Sequence, residues 1–177
     1  MMKQQEFGLK IVKDYPLPGV NFIDINGLLE SPQSYRKVID TFTKQVKMLD
    51  GYTETAIIAP ESRGFLFASS VAYQTRLPLV VVRKKGKVPN KPYRFQIQNE
   101  YDKYEMEVDS DILGRFEKYI YIDDILATGQ SLVSIAQALE KKNKKIILAL
   151  HVTAVDGLRE MRQENSVLQS IPHKEII

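Results

Sequence analysis

The segment that most constrains the fold begins with a short apolar run. Residues 119–122 (Tyr-Ile-Tyr-Ile) are aromatic and β-branched, which predicts a buried strand. Asp123 and Asp124 come next, at the point where we expect the strand to run out into solvent. A turn of small residues, 127–129, then leads into apolar residues spaced for one face of a helix, from Leu132 to Leu139. This order predicts a strand, an acidic pair, a tight turn and a helix N-terminus.

Such a segment can bind both halves of a sugar phosphate. Backbone N–H groups and the positive end of a helix dipole attract a phosphate. Carboxylates accept hydrogen bonds from sugar hydroxyls or face a metal ion. Two acids at a strand end could also be simply solvated, but the Ala-Thr-Gly turn that follows this pair favours a binding site.

The rest of the chain predicts an α/β fold with a mainly parallel central sheet. Short apolar runs at residues 55–59 and 79–82 predict buried strands, and residues 65–75 predict the helix between them. A strand, a helix and a strand joined by short connections indicate a right-handed parallel crossover. Residues 146–152 predict a last parallel strand.

Other segments flank this sheet. Ser31 and Pro32 predict the start of a helix that ends near residues 50–51, because serine caps helices and proline fits their first position. Alternating apolar residues at 93–97 and 104–108 predict a long hairpin. We expect at most a weak short helix before residue 14, and only short helical pieces in the polar tail after residue 152.

The overall numbers limit the class of protein. A chain of 177 residues suits one domain, and a net charge of +3 is too small to argue for a nucleic-acid partner. Since there is no cysteine, disulfides and thiolate metal sites are excluded. The first residues lack the apolar core of a signal peptide, and no apolar run approaches the ~20 residues that cross a bilayer. We therefore expect a cytoplasmic protein without a membrane partner.

Four stretches resemble a single family. Residues 121–129 resemble the phosphoribosyl-diphosphate signature of the type I phosphoribosyltransferases. Residues 61–65, 83–89 and 100–101 narrow the likeness to the adenine phosphoribosyltransferases. Further similar residues towards the N-terminus are 14–16, 18–20 and 22–25. The signature alone defines only the superfamily, whereas the four stretches in this order are specific.

This resemblance implies a fold and a reaction. The fold is a single phosphoribosyltransferase domain over residues 1–177, with helices flanking the sheet and a flexible β-hairpin. A hood at about residues 1–30 contributes to the base pocket. The reaction joins adenine to phosphoribosyl diphosphate in the presence of Mg²⁺ and gives AMP and pyrophosphate. The family enzymes are usually cytoplasmic homodimers.

The resemblance also implies how phosphoribosyl diphosphate is bound. Asp123 and Asp124 would bind the ribose hydroxyls and stabilise an oxocarbenium-like transition state, with Mg²⁺ held near them through the substrate. The residues implied for the 5-phosphate are Ala127, Thr128, Gly129, Gln130 and Ser131. Those implied for pyrophosphate are Glu61, Ser62, Arg63, Arg83, Lys84 and Lys87, with a cis peptide between Glu61 and Ser62.

The remaining roles concern the base. Glu100 would exchange a proton with the purine ring, and Tyr101 would help to close the hairpin over the sugar. The residues implied for the base pocket are Val20, Asn21, Phe22, Ile23 and Ile125. Within that pocket Phe22 can stack on a purine, while backbone groups at residues 21 and 23 can bind its edge. His151 and His173 match no catalytic position.

Two departures from the family leave alternatives open. Ile23 stands where arginine is usual, and Gln130 stands where the phosphate loop usually has a second glycine. The base could therefore be hypoxanthine, guanine or xanthine. A catalytically inactive regulator that senses phosphoribosyl diphosphate and binds DNA or RNA is a further alternative. Glu100, Arg63 and the basic stretch at 83–87 favour an enzyme, as does the lack of an added DNA-binding domain.

Overall fold

The computed structural model describes residues 5–15, 17–98 and 103–177. Its strands, in chain order, are β1 (Lys10–Val12), β2 (Phe22–Asp24), β3 (Ala56–Pro60), β4 (Leu79–Lys84), β5 (Pro92–Gln98), β6 (Lys103–Asp109), β7 (Lys118–Leu126), β8 (Lys145–Ala154) and β9 (His173–Glu175). Its helices are α1 (Asn26–Glu30), α2 (Pro32–Lys47), α3 (Gly64–Thr75), α4 (Ser110–Gly114), α5 (Gln130–Glu140), α6 (Arg159–Glu164) and α7 (Ser166–Ser170). Short 3₁₀ helices lie at Tyr52–Glu54 and Asp156–Leu158.

The main sheet contains, among the described residues, strands in the order β5-β6-β4-β3-β7-β8-β9. The run from β4 to β9 is parallel throughout. The hairpin of β5 and β6 joins it antiparallel to the end of β4, where Arg83 pairs with Glu107. The predicted α/β fold with a mainly parallel sheet is therefore confirmed, and a small antiparallel sheet of β1 and β2 stands apart from it.

Side-chain alternation along β7 builds the core on both faces of the sheet. Ile120 and Ile122 pack in one buried cluster with α2 and α3. Tyr119 and Tyr121 pack in the other, with α5 and the hairpin. Because every second residue points to the same face of a strand, this run is buried on both sides. It therefore holds the following acidic pair on a rigid element.

The predicted helices form, and α2 begins at its predicted start signal, although it ends at Lys47 rather than near residues 50–51. The Ser31 hydroxyl accepts a hydrogen bond from the Ser34 amide at 3.2 Å, and Pro32 occupies the first turn of α2. The apolar face of α5 is buried as predicted, from Leu132 to Leu139. None of the helices in the described ranges is long and apolar enough to cross a membrane.

The structure differs from the sequence prediction at several element ends. The first segment contains the strand β1 where a weak helix was expected, because it pairs with β2. In the tail, β9 adds to the sheet beside β8. β7 also continues to Leu126, past the acids, because its backbone still pairs with that of β8 there. The expectation that the acids run out into solvent is therefore wrong: Asp124 is only 3% exposed.

Candidate active site at the carboxyl edge of the sheet

Three segments meet where adjacent parallel strands end. Residues 61–64 follow β3, residues 83–87 end β4 and continue beyond it, and Asp123 and Asp124 lie near the end of β7. The carboxyl ends of parallel strands share one edge of a sheet, which is where open α/β sheets bind ligands. The structure thus brings together the predicted ribose, phosphate and pyrophosphate segments.

Asp123 is fixed by two hydrogen bonds. The Tyr121 hydroxyl donates to its Oδ2 at 2.9 Å, and the Asp124 amide donates to its Oδ1 at 2.9 Å. Burial, and after it the neighbouring charge of Asp124, raise the pKa of Asp123 well above its usual range. A carboxyl group in this state favours a ligand that supplies positive charge or hydroxyl donors.

One oxygen of Asp124 has an ion-pair contact but, within the described ranges, no hydrogen bond. The Arg63 Nε atom lies 2.7 Å from Asp124 Oδ2, but its N–H does not point at that oxygen. Among the described residues none donates a hydrogen bond to Oδ2, although the side chain is buried. An unsatisfied buried acceptor is costly, so this oxygen is suited to a sugar hydroxyl or to metal-bound water.

The loop after β7 encloses a cavity of about 150 Å³. The predicted phosphate residues Ala127, Thr128, Gly129, Gln130 and Ser131 all line it, together with Ile97, Tyr121, Asp123, Ile125, Leu126, Leu132 and His151. Gly129 has a φ of +83°, a backbone conformation that favours glycine. It is the residue directly before the first turn of α5. The Thr128 hydroxyl accepts a hydrogen bond from the Gln130 amide at 3.4 Å.

The same loop also contacts the tail of the chain. One guanidinium nitrogen of Arg162 donates to the carbonyls of Leu126 at 3.3 Å, Ala127 at 2.8 Å and Val155 at 2.8 Å. A Cβ on Gly129 would lie 2.8 Å from Leu168 Cδ2. Sequence reasoning missed both tail residues, since no local pattern links them to a loop some 35 positions away.

The segment after β3 approaches the acidic pair closely. The peptide between Glu61 and Ser62 is cis, as the resemblance implied. A Cβ on Gly64 would lie 2.9 Å from Asp123 Oδ1, so only glycine allows this approach. Ser62 is exposed, and Arg63 points towards Asp124.

Glu61 and Glu107 organise the basic stretch. Glu61 accepts a hydrogen bond from the Lys84 amide at 2.9 Å, contacts the Lys87 ammonium and lies 3.6 Å from Arg83 Nε. The Lys87 hydrogen bond is the main cause that lowers the pKa of Glu61. Its carboxylate therefore orients the basic residues and would repel an anion.

The buried Glu107, which sequence reasoning also missed, holds the next turn. Its Oε1 accepts from the amides of Lys87 at 2.6 Å and Val88 at 2.7 Å, and its Oε2 accepts from Arg94 at 3.3 Å. These bonds, first that from Val88, lower the pKa of Glu107, so it carries a negative charge. Because Met106 and Val108 of β6 face the core, Glu107 points to the opposite face of the hairpin, so the alternation of the sequence does not mark it as buried.

Four of the five predicted base residues lie on or beside β2, whereas Ile125 lies on β7 and lines the cavity of about 150 Å³. Phe22 is half-buried, contacts the Tyr15 ring edge-on at 5.3 Å, and has the Arg63 guanidinium 5.2 Å from its ring centre. Ile23 packs its side chain in the core, so that only its backbone remains for a ligand. Val20 is half-buried, and Asn21 is exposed.

Two other predicted features have different outcomes. Glu100 and Tyr101 lie outside the described residues. His151 is buried beside Tyr121, with ring centres 5.5 Å apart, and it lines the cavity of the loop after β7. Burial lowers the pKa of His151 to about 3, which keeps the ring neutral. No described residue bonds its Nδ1 atom.

Comparison with known proteins supports a common family. The family model for the phosphoribosyl transferase domain matches residues 24–177. An adenine phosphoribosyltransferase of Ruminiclostridium cellulolyticum is 37% identical over 133 residues, 75% of this chain and 77% of the relative. The enzyme of that name from Butyrivibrio fibrisolvens is 30% identical over 166 residues, 92% of this chain and 91% of the relative.

Solved structures agree in fold. The adenine phosphoribosyltransferase of Thermoanaerobacter pseudethanolicus superposes with a TM-score of 0.84 at 25% identity, covering 99% of this chain and 98% of that one. The Saccharomyces cerevisiae enzyme, solved with adenine and an imino-altritol bisphosphate, gives a TM-score of 0.84 at 24% identity, covering 99% and 97%. At that identity the second likeness concerns the fold alone.

Proposed function

This chain belongs to the phosphoribosyltransferase family, and we propose that it is an adenine phosphoribosyltransferase. It transfers the 5-phosphoribosyl group of phosphoribosyl diphosphate to adenine, a pentosyl transfer of purine salvage that yields AMP and pyrophosphate. The observation that carries the proposal is the meeting of the phosphate cavity, the acidic pair and the basic stretch at one sheet edge. Such an arrangement suits a sugar with a phosphate at each end.

The ribose 5-phosphate half lies against β7 and its loop. The 5-phosphate binds in the cavity, where amides of residues 127–131 and the hydroxyls of Thr128 and Ser131 converge on one dianion. Asp123 and Asp124 accept hydrogen bonds from the ribose hydroxyls. Their negative charge also stabilises the positive charge that develops on the sugar as the bond to pyrophosphate breaks.

The pyrophosphate half lies against the segments after β3 and β4. Arg63 can bind a phosphate bidentately, and Arg83, Lys84 and Lys87 supply further positive charge. Backbone groups at Ser62 and the orienting carboxylate of Glu61 complete this half. Substrate binding requires Arg63 to move from Asp124 towards the departing diphosphate.

Mg²⁺ fits this site as a partner of the substrate. The described residues contain no group of three or more acidic or histidine ligands, so these residues do not form a metal cage by themselves. Once Arg63 has moved away, the buried Oδ2 of Asp124 can accept, and Mg²⁺ typically binds one or two carboxylates, waters and substrate phosphates. When bound, the ion neutralises charge on the departing pyrophosphate. Asp123 and Asp124 are the residues that would hold it.

The base binds against the N-terminal hood, about residues 1–30 of the single domain. Phe22 stacks on adenine, with Val20 and Ile125 as apolar neighbours. Since the Ile23 side chain packs in the core, the backbone at Asn21 and Ile23 binds the purine edge. Glu100 exchanges a proton with the ring, and Tyr101 closes over the sugar.

We also propose a cytoplasmic homodimer. On α3, directly after the pyrophosphate segment, Tyr73 is 87% exposed and Leu66 is 42% exposed. Large apolar side chains exposed beside a binding site are common at interfaces. One chain has a mass of 20.3 kDa, and light scattering during size-exclusion chromatography should give twice that mass.

The function is tested by a panel of bases. Pyrophosphate release is measured with phosphoribosyl diphosphate, Mg²⁺ and adenine, hypoxanthine, guanine, xanthine or orotate. We expect release with adenine, and its loss when the metal is chelated. Preference for a 6-oxopurine would contradict adenine specificity alone. No release with any base, together with intact binding of phosphoribosyl diphosphate, would favour the regulator.

A further inference from the structure

Arg162 is a buried cation that the proposed reaction does not use. It lies on α6 and is 7% exposed. Its hydrogen-bond partners among the described residues are the backbone carbonyls of Leu126, Ala127 and Val155. Burying a guanidinium is costly unless its donors are satisfied, so a nitrogen whose two N–H groups are shared among three carbonyls indicates a specific task.

The first two carbonyls belong to the loop that lines the phosphate cavity. A trans peptide is planar, and its C=O and N–H groups point in opposite directions. The cis peptide among the described residues lies elsewhere, between Glu61 and Ser62. Because Arg162 draws the carbonyls of Leu126 and Ala127 to itself, the amides of Ala127 and Thr128 point the other way. Leu126, Ala127 and Thr128 line the cavity of about 150 Å³.

The third carbonyl connects the loop to the strand β8. Val155 follows directly after β8, and its own amide donates to Leu126 O at 3.0 Å. Arg162 therefore joins the two chain segments that leave β7 and β8. A planar guanidinium with fixed donor directions suits this task better than a flexible ammonium.

We propose that Arg162 is a positioning residue for the 5-phosphate of the substrate. It fixes two peptide planes so that their amides donate to the phosphate, and it adds a fixed positive charge behind the loop. The role rests on the proposed function, since it presumes that a sugar phosphate binds in the cavity. A residue needed only for stability would weaken both halves of the site alike.

The test measures ligand binding at the 5-phosphate half of the site and at the pyrophosphate half separately. Dissociation constants for ribose 5-phosphate, and for pyrophosphate with Mg²⁺, are measured by calorimetry on the full chain. The variants are Arg162→Met, which keeps the length but not the donors, and Arg162→Lys, which keeps the charge. Arg159→Met, on the exposed side of the same helix, is the matched control. Thermal melts identify the folded variants.

We expect Arg162→Met to weaken ribose 5-phosphate binding about tenfold, as for the loss of a hydrogen bond to a charged group. Pyrophosphate binding should change less than about twofold, Arg162→Lys should recover part of the loss, and Arg159→Met should match the wild type. Equal weakening of both ligands, or no change in either, would overturn the proposal. If Arg162→Met does not fold, the two dissociation constants are measured on Arg162→Gln, and the same comparison between ribose 5-phosphate and pyrophosphate tests the proposal. A wild-type chain that binds no ribose 5-phosphate would instead contradict the proposed function.

Discussion

Replacing Gly129 by alanine tests whether the phosphate loop is shaped by its contact with the tail. Gly129 has a φ of +83°, and the added Cβ would lie 2.8 Å from the Cδ2 atom of the fully buried Leu168. Carbon atoms pack best at about 3.5–4.0 Å, so the overlap approaches about 1 Å. The change therefore strains the backbone and overpacks the contact at once.

The two effects have separable magnitudes. The left-handed conformation costs alanine about 1–2 kcal/mol, and overpacking typically costs about 1–3 kcal/mol. Alanine also restricts the unfolded chain, which by itself raises the free energy of unfolding by about 0.4–1 kcal/mol. We therefore expect Gly129→Ala to lower the free energy of unfolding by about 1–5 kcal/mol.

The substitution Leu168→Val separates the cost of overpacking from the cost of backbone strain, because it removes the Cδ atoms. The nearest remaining atom would be at the Cγ position, 3.6 Å from the added Cβ, which is an ordinary contact. In this background Gly129→Ala should cost only about 1 kcal/mol, the net strain of the backbone. The coupling between the two substitutions should thus be about 1–3 kcal/mol.

Urea unfolding of the wild type, both single variants and the double variant measures this coupling. The single Gly129→Ala variant should also raise the KM for phosphoribosyl diphosphate, because the loop must shift to relieve the overlap. A coupling below about 0.5 kcal/mol would mean that the substitutions are independent, and the contact with Leu168 would not shape the loop.

Three further predictions concern carboxyl groups. The raised pKa of Asp123 means that the folded chain binds its proton more tightly than the unfolded chain, so stability falls as pH rises from about 3.8 towards the folded pKa. Asp123→Asn should therefore raise the melting temperature at pH 7–8 but not near pH 3.5, and it should lower turnover. Glu107→Gln places an amide N–H against Arg94 and should raise the KM for phosphoribosyl diphosphate several-fold, whereas Glu105→Gln, whose partner Lys85 is exposed, should leave it unchanged. Glu100→Gln should lower turnover by at least about tenfold and leave the affinity for phosphoribosyl diphosphate nearly intact, as for loss of a general acid or base; unchanged turnover would remove Glu100 from the mechanism.

Local patterns were sufficient for most of the sheet and its helices. The apolar runs of β3, β4, β7 and β8 and the capped start of α2 depend on neighbouring residues, which a sequence displays directly. The elements that were missed depend on distant partners. β9 has polar side chains and becomes a strand by pairing with β8, and β7 continues through two acids for the same reason.

The residues of the site also fall into a group with a local sequence pattern and a group that depends on distant partners. The predicted ligand residues lie in short motifs, and the geometry brings the predicted phosphate residues and Asp123 around one cavity. The residues that orient them lie far away in the chain: Glu107 is 20 positions from Lys87, and Arg162 is 35 from Ala127. A buried charge among apolar neighbours has no periodic signature, so only the folded chain reveals its partner.

These orienting residues act on different parts of the site, which has a consequence for mutational data. Glu107 accepts hydrogen bonds from the amides of Lys87 and Val88 in the turn after β4, whereas Arg162 donates to carbonyls of the loop after β7. Phosphoribosyl diphosphate contacts both segments in the proposed function, so its KM should rise in either variant and cannot distinguish them. Pyrophosphate and ribose 5-phosphate each contact one. Glu107→Gln should therefore weaken the binding of pyrophosphate and leave that of ribose 5-phosphate unchanged. Arg162→Met should weaken the binding of ribose 5-phosphate and leave that of pyrophosphate nearly unchanged.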